Sequence, residues 1–200
     1  MKNAAVGFRP HSGWTSLVVV SVERGKPIVL LRERVHLVKT FSYAYRQPYH
    51  TAAKAPLEEG RAFINQVKSE AQQLARRTLR QVQTRLAPAD YRLTHCGLLL
   101  GSGRVLPSLE KILSAHPLIH TADGELFREA LTRACTRCGL QLLCTKEKEL
   151  VREAGESFRL KEPLLMRRVT ELGKPIGAPW SQDEKYATLV AWLALSNSAW

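Results

Sequence analysis

A histidine and two glutamates in the second half of the chain have the types and spacing for acid–base or metal chemistry. A helix through Glu125 and Glu129 would place both carboxylates on one face, with His120 near its start. Such a pair could bind a metal ion or serve as general acid and base. The alternative is structural, because acids are favoured in a first helical turn and Arg128 or Arg133 can pair with Glu129.

A second pair of acids, Asp183 and Glu184, follows Ser181 in the order Ser-Gln-Asp-Glu. This is the capping-box pattern that begins a helix. The cap accounts for Glu184, and the helix dipole favours Asp183 in the first turn. Both acids therefore have a structural explanation beside a role as metal ligands.

His11 and Ser12 lie at the end of the first predicted strand. The imidazole of His11 could act as a base or as a metal ligand there. A loop histidine that caps backbone groups is the alternative. Trp14, shortly after, is more typical of a core residue than of a platform for stacking.

A short glycine-containing segment follows the predicted strand Leu93–Leu100 and could bind a phosphate. Its residues are Gly101, Ser102, Gly103 and Arg104. Glycines allow backbone N–H groups to converge on an anion, and an arginine can make a forked contact. Turn formation alone also explains a single Gly-x-Gly.

The spacing of Cys135 and Cys138 is that of metal ligands or of a redox pair. A structural zinc ion needs four ligands, and no second pair with this spacing occurs among the 4 cysteines. The chain has no apolar run of membrane-spanning length and no signal-peptide pattern, so we expect a cytoplasmic protein with reduced cysteines and no membrane partner.

The net charge of +12 is unevenly distributed. Residues 1–100 carry 16 Lys and Arg against 6 Asp and Glu, whereas residues 101–200 carry 14 against 12. Four of these cations, Lys68, Arg76, Arg77 and Arg80, cover a broad arc of one long predicted helix with few acids to pair with them. They are candidates for nucleic-acid phosphate contacts, with a solvated helix face as the alternative.

The elements that must position these residues alternate between strands and helices. Apolar periodicity predicts the order β-β-β-α-β-α-α-β-α. The first apolar run extends from Ala5 to Val22, a turn follows at Gly25 and Lys26, the second strand runs from Pro27 to Val38, and a third strand lies at Phe41–Tyr45. Three antiparallel strands followed by alternating units indicate a mixed α/β sheet with helices on both faces. The predicted helices cover Leu57–Leu86, a segment with Pro107 in its first turn, Gly124–Cys138 capped by Thr121, Lys146–Ala154, Glu162–Leu172, and a last helix from the Ser181 cap; the later strands cover Leu93–Leu100 and Leu140–Cys144.

This order resembles the RNase H-like fold and, within it, the RuvC-type Holliday-junction resolvases. The segments that carry the resemblance are Gly7–Pro10 with Gly13 and Trp14, then Glu125–Leu131, Gly139–Leu143 and Lys146–Leu150, and finally Asp183–Ala194. The resemblance implies one RNase H-like domain over residues 1–200, with residues 155–180 as a helical and loop insertion before the closing helix.

The resemblance also implies chemistry. Nucleases of this kind hold two divalent metals with three or four carboxylates, which implies Mg²⁺ or Mn²⁺. Arg9 occupies the place of the first-strand Asp, the strand Leu93–Leu100 contains no acid, and Asp183 or Glu184 lies where the terminal-helix acid is expected.

The sequence thus predicts a nucleic-acid-binding RNase H-like protein. A diverged metal-dependent nuclease is one form of this hypothesis, with Glu125, Asp183 and Glu184 as metal ligands and catalytic residues and His11 as the base or a replacement ligand. One alternative is a nucleotide- or phosphate-binding enzyme of the actin-like ATPase type. Another is a scaffold without a site, most simply a homodimer through the long helix.

Overall fold

A five-stranded mixed sheet forms the centre of the protein, whose computed structural model describes residues 1–101 and 105–196. The strand order is β3-β2-β1-β4-β5. The pairs β1–β2 and β2–β3 are antiparallel, and β1–β4 and β4–β5 are parallel. A mixed sheet in which antiparallel strands precede parallel strands is the sheet type that the sequence predicts. The strands are β1 Lys2–His11, β2 Trp14–Glu23, β3 Lys26–His36, β4 Tyr91–Leu100 and β5 Gln141–Lys146.

Two tight turns join the first three strands. One turn lies at Ser12 and Gly13, where Gly13 has a φ of 79°. The other lies at Arg24 and Gly25, which have φ values of 49° and 75°, the left-handed pair typical of a two-residue hairpin. The apolar run through residues 5–22 is therefore two strands, because the chain reverses at Gly13.

The third strand predicted at Phe41–Tyr45 is wrong, because this segment is helical from Tyr43 onward. Its aromatic residues favour a strand by propensity, but the chain has already left the sheet after His36. Tyr45 packs edge-to-face against Phe63 with ring centroids 5.4 Å apart, so tertiary packing decides the conformation here.

Helix bounds follow the apolar spacing closely where the pattern is long. The predicted helices Leu57–Leu86 and Glu162–Leu172 are confirmed at both ends. The helix predicted to begin after Thr121 begins at His116, and Pro107 lies before a helix rather than in one. The helices are α1 Tyr43–Arg46, α2 Pro48–Ala52, α3 Leu57–Leu86, α4 Leu109–Leu113, α5 His116–Arg137, α6 Leu150–Phe158, α7 Glu162–Leu172 and α8 Gln182–Ser196.

Alternating residues of β1 face two different helical layers. Ala4, Val6 and Phe8 pack with α2, α3 and α5, whereas Ala5 packs with α6, α7 and α8. Gly7 faces α8 so closely that an added Cβ would lie 1.9 Å from a backbone carbonyl oxygen of that helix. This alternation also turns the side chains of residues 9 and 11 toward the start of α8.

Within the described residues, no helix combines the length and apolar character needed to cross a lipid bilayer.

Candidate functional site

Arg9 lies at the end of the sheet and joins two acids from separate parts of the chain. Its Nε and Nη2 donate to the two carboxylate oxygens of Glu147 at 3.1 and 2.6 Å. Its Nη1 donates to Oδ1 of Asp183 in the first turn of α8. The hydrogen bonds that Arg9 donates to Glu147 are the main cause that raises the pKa of Arg9. A permanent positive charge therefore lies between the two carboxylates.

His11 is the second partner of Asp183. Its Nε2 donates to the same carboxylate oxygen at 2.9 Å. The imidazole of His11 stacks on the Trp14 ring with the two centroids 4.2 Å apart. The Arg34 guanidinium also lies over the Trp14 ring, 3.7 Å from its centroid. The fold therefore brings together His11 and Asp183, two of the predicted site residues. Trp14 is a partly exposed stacking partner of His11 and not a core residue.

Glu147 is the member of this group that the sequence analysis missed. It follows directly after β5, which is longer than predicted and ends at Lys146. An acid just beyond the carboxyl end of a parallel strand is a recognisable signal for the ligand-binding edge of an α/β sheet. The signal was hidden because residues 146–154 have an apolar spacing that also suits a helix.

The carboxylates do not fit a two-metal site of the kind that the resemblance implies. Asp183 is engaged by Arg9 and His11. Glu184 accepts from the Ser181 N–H at 2.7 Å and from its hydroxyl at 2.6 Å, which confirms the capping box. Glu125 lies 3.4 Å from the nearest Arg128 nitrogen. Among the described residues no three acids converge as Mg²⁺ or Mn²⁺ would require.

Glu129 belongs to a separate contact between two helices. It pairs with Lys68 of α3 at 2.8 Å and with Arg133 at 2.7 Å. Burial alone would raise the pKa of Glu129, but the two cations outweigh burial and hold that pKa below its usual value. Glu125 and Glu129 thus pair with different cations, and a role for either as a metal ligand or as acid and base stays a prediction.

A cleft of about 420 Å³ lies at the carboxyl ends of β4 and β5. It contains two cations, Arg128 and Lys148, beside Glu147, and Gly101 borders it. Of the predicted phosphate loop, Ser102, Gly103 and Arg104 lie outside the described residues. Gly101 faces the Arg128 guanidinium, which a Cβ at that position would approach within 3.3 Å.

The basic face of α3 borders an open groove. Arg76, Arg77 and Arg80 line a groove of about 800 Å³ together with Arg85, which pairs with Glu33 of β3. In the parts of the chain that the structure covers, the first three arginines form no ion pair, and the buried Nε of Arg76 has no hydrogen-bond partner. Lys68, predicted to join them, is instead engaged by a glutamate.

The predicted metal-ligand pair of cysteines does not come together with other ligands in the described residues. Cys135 instead contacts Cys96 of β4, with the sulfur atoms 2.8 Å apart. Both thiols are buried, and burial holds the pKa of Cys96 well above its usual value. This contact is part of the core between the sheet and α5.

A histidine cluster lies apart from the strand-end group. His50 of α2 faces His116 and His120, which are one turn apart on α5. Asp123 accepts a hydrogen bond from His50. This cluster is not evident when the helix is predicted to begin after His120, whereas a helix that begins at His116 places both histidines on one face.

No protein-family model matches the chain, and no curated protein is significantly similar to it in sequence. Its fold is similar to that of Thermus thermophilus RuvC in complex with a Holliday junction substrate, with a TM-score of 0.56. The two chains are 13% identical, and the match covers 98% of this chain and 94% of the RuvC chain. A second Thermus thermophilus RuvC structure gives a TM-score of 0.53 at 13% identity, with 98% and 95% covered.

This likeness agrees with the sheet described above, in which an antiparallel hairpin leads into parallel strands with helices on both faces. At 13% identity it concerns the fold alone. The chain therefore has an RNase H-like α/β fold, the fold that RuvC also has.

Proposed function

We propose that this protein binds nucleic acid through backbone phosphates along the basic face of α3, without metal-dependent cleavage at its strand ends. The observation that carries the proposal is the row formed by Arg76, Arg77 and Arg80, whose guanidinium groups have no acidic partner among the described residues. Guanidinium groups make forked contacts with phosphate oxygens. A groove beside them gives a polyanion a surface to follow.

The charge distribution supports this choice of ligand. The first 100 residues carry a net charge of +10, and α3 lies within them. Phosphate contacts of this kind fix position but carry no base sequence information. We therefore expect affinity that depends strongly on salt and weakly on sequence.

Arg9 is the reason for separating binding from cleavage. Two-metal hydrolysis needs carboxylates that are free to hold cations. Here one guanidinium already pairs with both Asp183 and Glu147, so a positive charge of the protein's own occupies the place between the two carboxylates. The geometry of the strand ends is better suited to holding α8 and the β5–α6 segment in place than to binding two metal ions.

The test measures binding by fluorescence anisotropy with a labelled four-way DNA junction, a linear duplex and a single-stranded RNA over a range of salt concentrations. The likeness to a RuvC bound to a Holliday junction motivates the first ligand. The variant is Arg77→Ala with Arg80→Ala, both exposed. The control is Arg167→Ala with Arg168→Ala on α7, which removes the same charge from exposed positions in the other helical layer.

Each lost phosphate contact should lower the slope of log affinity against log salt by about 0.9. The α3 variant should therefore lose about 1.8 from its slope on duplex DNA, and roughly 10-fold more affinity than the control at low salt. Equal losses in both variants would show that only net charge matters, and would reject the α3 surface. Absence of binding in the wild type would favour the scaffold alternative, for which a homodimer and a cytoplasmic location remain predictions.

Cleavage is tested with the same ligands in Mg²⁺ and Mn²⁺. We expect intact nucleic acid. Cleavage that disappears in Asp183→Asn would reject the second half of the proposal while leaving the binding surface to be judged by anisotropy.

A further inference from the structure

We infer that His50, His116 and His120 form a binding site for Zn²⁺. One ligand nitrogen from each ring can be chosen so that all three lie within 4.8 Å of one another. The ring centroids are 4.4 to 5.4 Å apart, and the rings meet edge to face rather than in a stack. The nitrogens therefore converge on a common point between α2 and α5.

The positions of the three residues on the backbone favour this convergence. His116 and His120 are four residues apart on α5 and share one face of its first turns. His50 approaches from α2, a five-residue helix that packs on α5. The side chains of His116 and His120 are exposed, so both rings can rotate toward an ion without disturbing the core.

Asp123 supplies the orienting contact that metal-binding histidines usually have. Its Oδ2 accepts from Nδ1 of His50 at 2.5 Å, and its Oδ1 accepts from the Tyr49 N–H at 2.7 Å. Its side chain is 3% exposed, so the carboxylate is fixed by burial as well as by hydrogen bonds. Holding the proton on Nδ1 leaves the lone pair of His50 Nε2 available for a metal ion.

The donor set selects the class of ion. Imidazole nitrogens suit Zn²⁺ and neighbouring transition metals, whereas Mg²⁺ requires oxygen ligands. Three histidines leave one position of a tetrahedral zinc ion for water or another ligand. Because a five-residue helix is not stable by itself, an ion at this point would fasten α2 to α5.

The experiment uses the full chain after treatment with EDTA and dialysis. Zn²⁺ affinity and stoichiometry are measured by competition with a chromophoric chelator, and thermal melting is recorded with Zn²⁺ and with Mg²⁺. The variants are His120→Ala, at an exposed position, and Asp123→Asn. The control is His36→Ala, an exposed histidine on β3 whose contact is a stack on Phe41.

We expect a single Zn²⁺ ion per chain and a rise in melting temperature of about 5–10 °C at 100 times the dissociation constant. Mg²⁺ should give no such rise. Asp123→Asn should weaken Zn²⁺ binding about 10–100-fold, His120→Ala should weaken it at least as much, and His36→Ala should leave it unchanged. Circular dichroism of the metal-free variants checks that each is folded.

Unchanged Zn²⁺ affinity in folded His120→Ala would overturn the inference, because binding would then lie elsewhere, for example at Cys138 or Cys144. Equal weakening in His36→Ala would overturn it in the same way. Co²⁺ absorption gives an independent test, since a six-coordinate spectrum typical of hydrated Co²⁺ would also contradict a three-histidine site. The Arg77→Ala and Arg80→Ala variant should retain Zn²⁺ binding, so this inference and the proposed function can fail separately.

Discussion

The substitution Arg9→Met tests whether the arginine at the strand ends holds the structure together through its charge. Methionine keeps most of the apolar stem and removes the guanidinium, which leaves Asp183 and Glu147 without their shared cation. Breaking a fully buried pair reduces the free energy of unfolding by about 3–5 kcal/mol, whereas an exposed pair contributes about 0–1 kcal/mol. The Arg9, Asp183 and Glu147 side chains are 15%, 25% and 39% exposed, so the three groups lie between these limits. We expect a loss of about 2 kcal/mol, or roughly 4–8 °C in melting temperature for a domain of this size.

Urea unfolding followed by far-UV circular dichroism measures this loss. A double-mutant cycle with Glu147→Gln isolates the pair, because Arg9→Met should be less damaging when the facing carboxylate is already neutral. The matched control is Arg152→Ala, which removes an exposed pair with Glu156 on α6 and should change the free energy of unfolding by less than about 0.5 kcal/mol. A loss from Arg9→Met no larger than that of the control, or a coupling energy near zero with Glu147, would refute the account of Arg9 as the internal cation of the site.

Three further predictions concern charge and exposure. Arg9→Asp introduces an acid at the first-strand position where the resemblance implies one, and the melting temperature of this variant should rise with Mn²⁺ by more than that of the wild type; equal responses in thermal melting would contradict this. Because the pKa of Glu129 is lowered in the folded state, its contribution to stability is present above the usual value of 4.5 and is lost as pH falls through the lowered pKa. Urea titrations of Glu129→Gln and the wild type should accordingly differ most near neutral pH and converge in acid. Iodoacetamide should alkylate the exposed Cys144 in the native protein and Cys96 only after unfolding, as mapped by peptide mass, because burial removes access to Cys96 and raises its thiol pKa.

The ends of secondary-structure elements are most predictable where apolar spacing and capping residues indicate the same position. The helix Leu57–Leu86 has apolar residues at helical spacing over eight turns, and its bounds follow from the sequence. The Ser181 cap likewise fixed the start of α8, and with it the position of Asp183. The turn at Gly13 was not predictable in the same way, because apolar residues on both sides make two strands look like one.

The partners of the site residues were harder to predict than their positions. The sequence places Arg9 where the resemblance implies an acid, but the hydrogen bond from Arg9 to Glu147 spans 138 positions in the sequence and depends on where β5 ends. A shift of two residues in that strand end hid Glu147. A shift of eight residues in the start of α5, from Gly124 to His116, left both His116 and His120 outside the predicted helix. An error of a few residues in the end of a strand or helix barely changes the predicted fold. The same error can hide a functional site, because a site depends on which side chains lie at the same strand end or on the same helix face.

The charge of Arg9 explains why this fold can persist without the carboxylate set that its resemblance implies. The start of α8 brings Asp183 to the end of β1, and the segment after β5 brings Glu147 to the same place. Both carboxylates lie close enough to pair with one guanidinium. Two carboxylates so near each other need a positive charge between them, because like charges in a partly buried site repel strongly. A divalent ion would supply that charge together with Lewis acidity, whereas a guanidinium supplies the charge and five directed N–H groups without activating water. The same sheet can thus keep α8 docked while the proposed binding of nucleic acid uses another surface, formed by the α3 arginines that have no acidic partner among the described residues.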